Sequence, residues 1–375
     1  MKDIFKADDN WNVFKFLFGD QLRDVEIKET EKMLRCNDKN TSYFVYYCPN
    51  CEEHYTIGLG CRSRLCSNCG KYYTDKWADN ISKAMFDVPH RHIVLGSPPD
   101  IWDLLFTHRD LWKVMMDSAI DCLNSVLSHK QHKRIRVGAI IVLHPFSRDL
   151  SFKPHLHLLI TEGGFHKNQW VHDFYFPHNA MRKTWQYNLL TNLRKSLPRS
   201  KENSRLFHSL YRRYRKGFYV YLPKNGRVVT KRDIAKYIGR YIRHPAIANS
   251  RIDGYDGKKV QYWYKDNEEV RHNCEMPVMD FIHLLIQHIP EPQFKMIRYY
   301  GAYSRKLKKK YARILGQQSI TSPKLERFDR SRRVHCPKCG KLMEFVLFMK
   351  KSPPMEVEFG SRITHWNSIL ISTAN

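Results

Sequence analysis

The sequence predicts an α+β protein, with a small zinc-ribbon-like module at the N-terminus followed by a larger domain of strands and helices. Three observations carry this expectation. Two Cys-x-x-Cys pairs, Cys48/Cys51 and Cys66/Cys69, stand near the N-terminus with 14 residues between them. Two β-type runs, Val137 to His144 and His155 to Thr161, flank a loop containing Pro145, Ser147, Asp149 and Pro154. Between the cysteines and these runs, Leu104, Leu105, Trp112, Met115, Met116, Ile120, Leu123 and Leu127 recur at helical spacing.

At 375 residues the chain exceeds what one hydrophobic core usually serves. The expected division is a zinc-binding head over residues 1–85, a central domain over 86–320 and a basic tail with a Cys pair over 321–375. A hydrophobic content of 42% and a charged content of 27% exclude wholesale disorder. The longest apolar runs, such as Ala139 to Leu143, are too short to span a bilayer, and Met1 to Gly19 has no apolar segment of the secretory kind. The expected location is the cytoplasm, with association to the nucleoid through DNA. Sixty-four Lys and Arg against 37 Asp and Glu leave a net charge of +27, which calls for a polyanionic partner. Nucleic acid is that partner rather than a membrane, since no basic amphipathic helix stands out.

In the head, Val25 to Leu34 reads as a helix. Ten cysteines in a chain expected to stay reduced are metal ligands before they are disulfides. Two knuckles can supply four thiolates to one tetrahedral zinc, so Cys48, Cys51, Cys66 and Cys69 are expected to share a structural Zn²⁺. Cys36 and Cys61, with His54, are candidates for a second zinc. Cys336/Cys339 near the end is half of the same motif with no second half downstream.

In the central domain, His92 to Leu95 reads as a short strand, residues 168–222 as helical and basic, Lys231 to Ile242 as a helix and Val260 to Lys265 as an aromatic strand. His155-Leu156-His157 opens an alternating pattern, so its imidazoles project from one face while Leu156, Leu158 and Ile160 project from the other. Such a pair suits a divalent ion that also takes phosphate oxygens, Mn²⁺ better than Mg²⁺. His144, ending the preceding run, is the candidate third ligand. His90-Arg91-His92 has the same spacing, but Arg91 would send a charge toward the back of the sheet, which makes it the poorer site. Tyr237 and Tyr241, four residues apart in a helical segment, would present both hydroxyls on one face about 6 Å apart along the axis. A phenol with a reference pKa of about 10 needs a metal-polarised phosphodiester to act as nucleophile, and Arg240 and Arg243 are nearby cations.

Taken in order, Cys61-Arg-Ser-Arg-Leu-Cys66-Ser-Asn-Cys69, Leu143-His-Pro-Phe-Ser-Arg-Asp-Leu150, Pro154-His-Leu-His-Leu-Leu-Ile160, Tyr237-Ile-Gly-Arg-Tyr241 and Phe294-Lys-Met-Ile-Arg-Tyr-Tyr-Gly301 resemble the two-tyrosine HUH transposases of rolling-circle insertion sequences, the insertion-sequence ninety-one type. The resemblance spans most of the chain. It implies a zinc module for recognising element ends and an HUH catalytic domain with a central antiparallel sheet. It also implies transfer of single strands through a 5′-phosphotyrosine, with His155 and His157 as metal ligands and Tyr237 and Tyr241 as nucleophiles. Single-stranded or hairpin DNA ends are the implied partners. Unwinding would fall to a host helicase, because the chain has no Walker-type loop. A plasmid replication initiator or relaxase would use the same chemistry, and a zinc-dependent DNA-binding regulator without catalysis is the alternative from another class.

Overall fold

In the computed structural model of the chain, residues 1–131, 135–172, 177–222, 246–266, 268–317, 334–350 and 356–359 are described. The chain divides into two compact units, Met1–Cys69 with Lys324–Asn375, and Gly70–Pro323. The C-terminal segment expected as a separate tail thus belongs with the head. The head itself ends at Cys69 rather than near residue 85. Antiparallel sheets and helices make the protein α+β.

In chain order the strands are β1 (Ser42–Cys48), β2 (Glu53–Gly58), β3 (His90–Gly96), β4 (Gly138–Phe146), β5 (Phe152–Thr161), β6 (Gly163–His166) and β7 (Gln169–His172). They continue as β8 (Val220–Tyr221), β9 (Ile252–Tyr255), β10 (Lys259–Lys265), β11 (Arg271–Pro277), β12 (Ile297–Gly301), β13 (Glu344–Lys350) and β14 (Glu356–Phe359).

The first unit opens with helices Lys2–Lys6, Asn10–Phe18 and Asp24–Leu34. Phe5, Trp11 and Phe14 are buried and stack in series, with ring centroids 6.0 Å apart at each step. The third helix starts where Glu26 folds back to accept from the Arg23 amide at 3.0 Å, which satisfies a donor that the first turn leaves open. Beyond it lies an antiparallel sheet in the order β14-β13-β1-β2. The chain's end therefore pairs with its beginning, Phe44 opposite Phe348 and Tyr46 opposite Phe345.

The second unit is built on a five-stranded antiparallel sheet in the order β12-β4-β5-β3-β8. β5 is central, and its alternation decides everything around it. Leu156, Leu158 and Ile160 join Ile141, Leu143, Ile93 and Leu95 on one face, all essentially unexposed. Helices Leu111–Gln131 and His178–Ser196 cover that face with Trp112, Met115, Leu123, Trp185 and Leu189. Toward one end of the opposite face, Phe86, Phe165, Tyr303 and Tyr311 pack on Ile140, Val142 and Leu159. Its other end carries histidines.

The helical repeat over 101–127 divides into helices Trp102–Thr107 and Leu111–Gln131. Arg109 at the break is buried, and its guanidinium donates to the carbonyls of Gln287 and Ile289 at 3.1 Å, a contact that a continuous helix face would not reach in this way. The basic region expected to be helical is mixed: β7, helix His178–Ser196, helix Lys201–Arg213 and β8. A smaller antiparallel sheet, β11-β10-β9, is tied to the β4–β5 loop by Arg148, which donates to the carbonyls of Lys265 and Asp266 at 3.1 and 2.8 Å. Among the described residues no helix is long and apolar enough to cross a membrane.

Candidate metal centre and cysteine clusters

At the histidine end of this face, residues directly opposite across a strand pair share a face, and register alone gathers the imidazoles. His144 faces His155 across the β4–β5 pair, and His157 lies two residues farther along β5. A bulge follows His144, where the register shifts before Phe146, and so turns the strand end toward its neighbour. The ligand nitrogens of His144, His155 and His157 all lie within 4.8 Å of one another. The structure thus brings the candidate third ligand beside the H-x-H pair.

Two of the rings are held from behind. His155 Nδ1 donates to the Lys153 carbonyl at 2.7 Å, which leaves Nε2 as its lone-pair nitrogen toward His144 Nδ1, 3.0 Å away. His157 Nδ1 meets His92 Nε2 at 2.9 Å, and the two rings lie nearly parallel, 7° apart. With the proton on His157 Nδ1, His92 accepts it and Nε2 of His157 takes the ligand role. That is how an outer partner commonly fixes the tautomer of a ligating imidazole. His92, judged the poorer candidate from its sequence context, thus stands directly against the H-x-H pair. Among the described residues, His90-Arg91-His92 does not form a ligand group of its own, and the Arg91 guanidinium is paired with Glu162. His90 is a structural residue, its Nε2 bonded to the Tyr303 hydroxyl at 2.6 Å.

Burial favours the uncharged form throughout. It pushes His92 down to about 4, lowers His155, and takes His144 and His157 well below the ordinary imidazole value, His144 helped by repulsion from His155, His288 and Arg148 and His157 by that from His155, His144 and His92. Neutral imidazoles are the form a cation binds. The donor set also fits a divalent ion in size: a metal–nitrogen distance of about 2.1 Å gives neighbouring octahedral ligands roughly 3 Å apart, and His144 Nδ1 and His155 Nε2 are separated by 3.0 Å.

Beside this centre lie two exposed aromatics. Val94 pairs with His157 on one side and Tyr221 on the other, so the three side chains form one row on the same face. Tyr219 lies over Gly96, where even a β-carbon would come within 3.2 Å of its ring. Gly96 lies opposite His155. Tyr219 and Tyr221 remain 60% and 49% exposed, an unusual amount for aromatics on a sheet. The preceding helix is capped by Ser200 and displays Lys201, Arg205, His208 and Arg212 as an exposed stripe at helical spacing. Tyr237 and Tyr241, with Arg240, lie outside the described residues.

The cysteines sort differently from the expected single zinc over Cys48, Cys51, Cys66 and Cys69. Two separate groups of four form in the first unit: Cys36, Cys61, Cys66 and Cys69 in one, Cys48, Cys51, Cys336 and Cys339 in the other. The reason lies in the strands. Cys48 ends β1 and Cys51 turns toward β2, whereas Cys66 and Cys69 lie at the start of helix Ser67–Ala84, facing the turn after helix Asp24–Leu34 that carries Cys36. In the first group, Cys66 and Cys69 Sγ stand 3.4 and 3.7 Å from Cys36 Sγ, and Cys61 Sγ is 3.8 Å from Cys69. These are close to the edges of a zinc tetrahedron with bonds of about 2.3 Å, which are roughly 3.8 Å long. Cys36 and Cys61 are thus full members of the group that contains the second knuckle. His54 instead lies against the Tyr47 ring, centroids 5.0 Å apart.

Comparison with known proteins agrees with both units. Residues 138–310 match the Y2_Tnp family, described as "Putative transposase", and residues 7–97 match the family described as "Transposase zinc-binding domain". The chain is 29% identical over 316 residues to the "Transposase for insertion sequence element IS801" of Pseudomonas savastanoi pv. phaseolicola, covering 80% of this chain and 75% of that one. It is 24% identical over 277 residues to the "Putative transposase y4qJ" of Sinorhizobium fredii, covering 68% of each. No solved structure matches the chain. With a zinc-binding domain ahead of a Y2 transposase domain, in the order that its motifs set out, this chain belongs to the IS91 family of transposases.

Proposed function

We propose that this transposase nicks and transfers single DNA strands through a 5′-phosphotyrosine, with the scissile phosphate brought to His144, His155 and His157. The observation that supports this best is the gathering of three imidazoles at one end of an antiparallel sheet face. A divalent cation held by their nitrogens, Mn²⁺ or Mg²⁺, would supply positive charge to polarise the phosphodiester. The remaining work falls to the chain's own groups. The Lys153 carbonyl and His92 hold two of the rings so that no reorganisation is needed when the phosphate arrives. Tyr237 or Tyr241 is the nucleophile. Its oxygen bonds to phosphorus as the 3′-oxygen leaves and takes up a proton, and the 3′-hydroxyl can later reverse the step without ATP.

The DNA partner is read from two exposed features, the aromatics beside the site and the basic stripe of helix Lys201–Arg213. Tyr219 and Tyr221 offer ring faces for unpaired bases, and Lys201, Arg205 and Arg212 offer charge to the backbone, a combination suited to single strands or hairpin ends. Unwinding is assigned to a host helicase. The test uses labelled single strands from the element's ends with Mn²⁺. Wild type should form a covalent adduct, and the Tyr237→Phe/Tyr241→Phe double variant should form none. An adduct in that variant, or none in the wild type with metal present, would refute the assignment.

A further inference from the structure

We propose that Cys48, Cys51, Cys336 and Cys339 bind a second structural zinc, separate from that of Cys36, Cys61, Cys66 and Cys69, and that it fastens the C-terminal hairpin onto the N-terminal one. Nothing in the zinc-binding domain match, which ends at residue 97, reaches the second half of this site.

The four sulfurs are placed for one ion. Cys48 Sγ is 3.6 Å from Cys339 Sγ, and Cys336 Sγ is 3.9 Å from Cys51 Sγ. Those separations match the edge of a tetrathiolate zinc site, roughly 3.8 Å, and are nearly twice a disulfide bond of about 2.05 Å.

The two halves are also built alike. Each is a Cys-Pro-x-Cys turn. In each, the amide of the residue after the second cysteine closes on the carbonyl of the first, Glu52 to Cys48 and Gly340 to Cys336, both at 2.8 Å. That following residue has a left-handed backbone in both, φ 56° at Glu52 and φ 73° at Gly340. Such turns aim successive amides at sulfur, and here the amides of Lys338 and Cys339 bond to Cys336. Paired thiolate knuckles related in this way accommodate a soft, tetrahedral ion, for which zinc is the common choice.

The surroundings show what the ion would hold together. Lys338 Nζ reaches Glu53 at 2.7 Å and Lys341 Nζ reaches Asn50 at 2.5 Å, so each knuckle is also tied to the other by polar contacts. Among the described residues, the apolar cluster around the sulfurs buries Tyr46 and Met343 besides two of the cysteines, with Phe44, Tyr55, Ile57, Val334 and Phe345 partly buried against them. So small a core does not stabilise a pair of hairpins by itself. Four thiolates without a cation would, moreover, repel one another at these distances.

The experiment uses the full chain, purified under reducing conditions. Elemental analysis should give two zincs per chain for wild type and one for the Cys336→Ser/Cys339→Ser variant, with faster amide exchange over 344–350 in the variant. Cys339→His, which keeps four ligands, should retain two. Should the serine variant fail to fold, cobalt substitution of the wild type decides: two equivalents with thiolate-to-cobalt absorption support the site, and saturation at one overturns it. Two zincs retained in a folded serine variant would overturn it as well.

Discussion

The two units bring ligand atoms together by opposite means. In the first, eight sulfurs come from turns, loops and a helix start, gathered from segments as far apart in the chain as Cys48 and Cys339. Little apolar material surrounds them. In the second, the imidazoles come from adjacent strands of a sheet whose other face is fully buried by two helices. The difference is one of framework: around the sulfurs the cysteine unit has few buried apolar side chains, whereas the histidine site stands on a sheet with a large packed core.

Chelation is the strongest way to break that comparison. Removing metal with a tight chelator should raise amide exchange across β1, β2 and β13 by orders of magnitude, because a structural zinc contributes about 10–16 kcal/mol, while β4 and β5 stay protected. Comparable loss of protection in both units would show that the sheet also depends on metal. Next in size is His155→Ala, expected to lower strand cleavage about a thousandfold or more with unfolding free energy changed by less than about 1 kcal/mol. Denaturation and single-turnover cleavage together check this, and a large stability loss with residual cleavage would contradict it.

Acid should act on the second unit. His92 and His288 are both held down to about 4 by burial. Because their folded values lie below the unfolded value of about 6.5, their contribution is present above that pH and is lost as pH falls toward 4, on the order of 3 kcal/mol per imidazole at most. Melting of the protein between pH 7 and 4 reads this out. A smaller effect is expected of His92→Ala, which removes only the support behind His157 and should weaken catalytic metal affinity about 10- to 100-fold. His92→Gln, which can still accept from Nδ1, should recover part of it in a Mn²⁺ titration. Smallest is Tyr219→Ala, which should weaken single-strand binding by about 1–3 kcal/mol, with duplex binding unchanged. Equal loss for both DNA forms would argue against stacking.

What could be read from the sequence follows the range of the interactions. The alternation through His155, Leu156, His157 and Leu158 fixes which side chains share a face, and the short loop after His144 makes β4 and β5 partners. Helix Asp24–Leu34 carries its own pattern and cap, so it was legible to within a residue. The cysteine partners were not, because spacing within one pair says nothing about which distant pair it meets; that depends on the β1–β13 register. His92 was underrated for a related reason: its contact with His157 comes from lying diagonally across β3 from it, and the side chain beside it, Arg91, finds an acidic partner that local sequence does not announce.

The joining of Cys51 to Cys336 sets a clock on maturation. The two positions are 285 residues apart. At a synthesis rate of about 5–20 residues per second, the later cysteines leave the ribosome roughly a quarter of a minute to a minute after the earlier ones. Throughout that interval Cys48 and Cys51 are a lone thiol pair, open to oxidation or to capture of a stray ion, while the intervening sheet has time to fold. A nascent chain therefore acquires its histidine face before its cysteine unit is complete, and a chain interrupted before residue 336 has the one without the other.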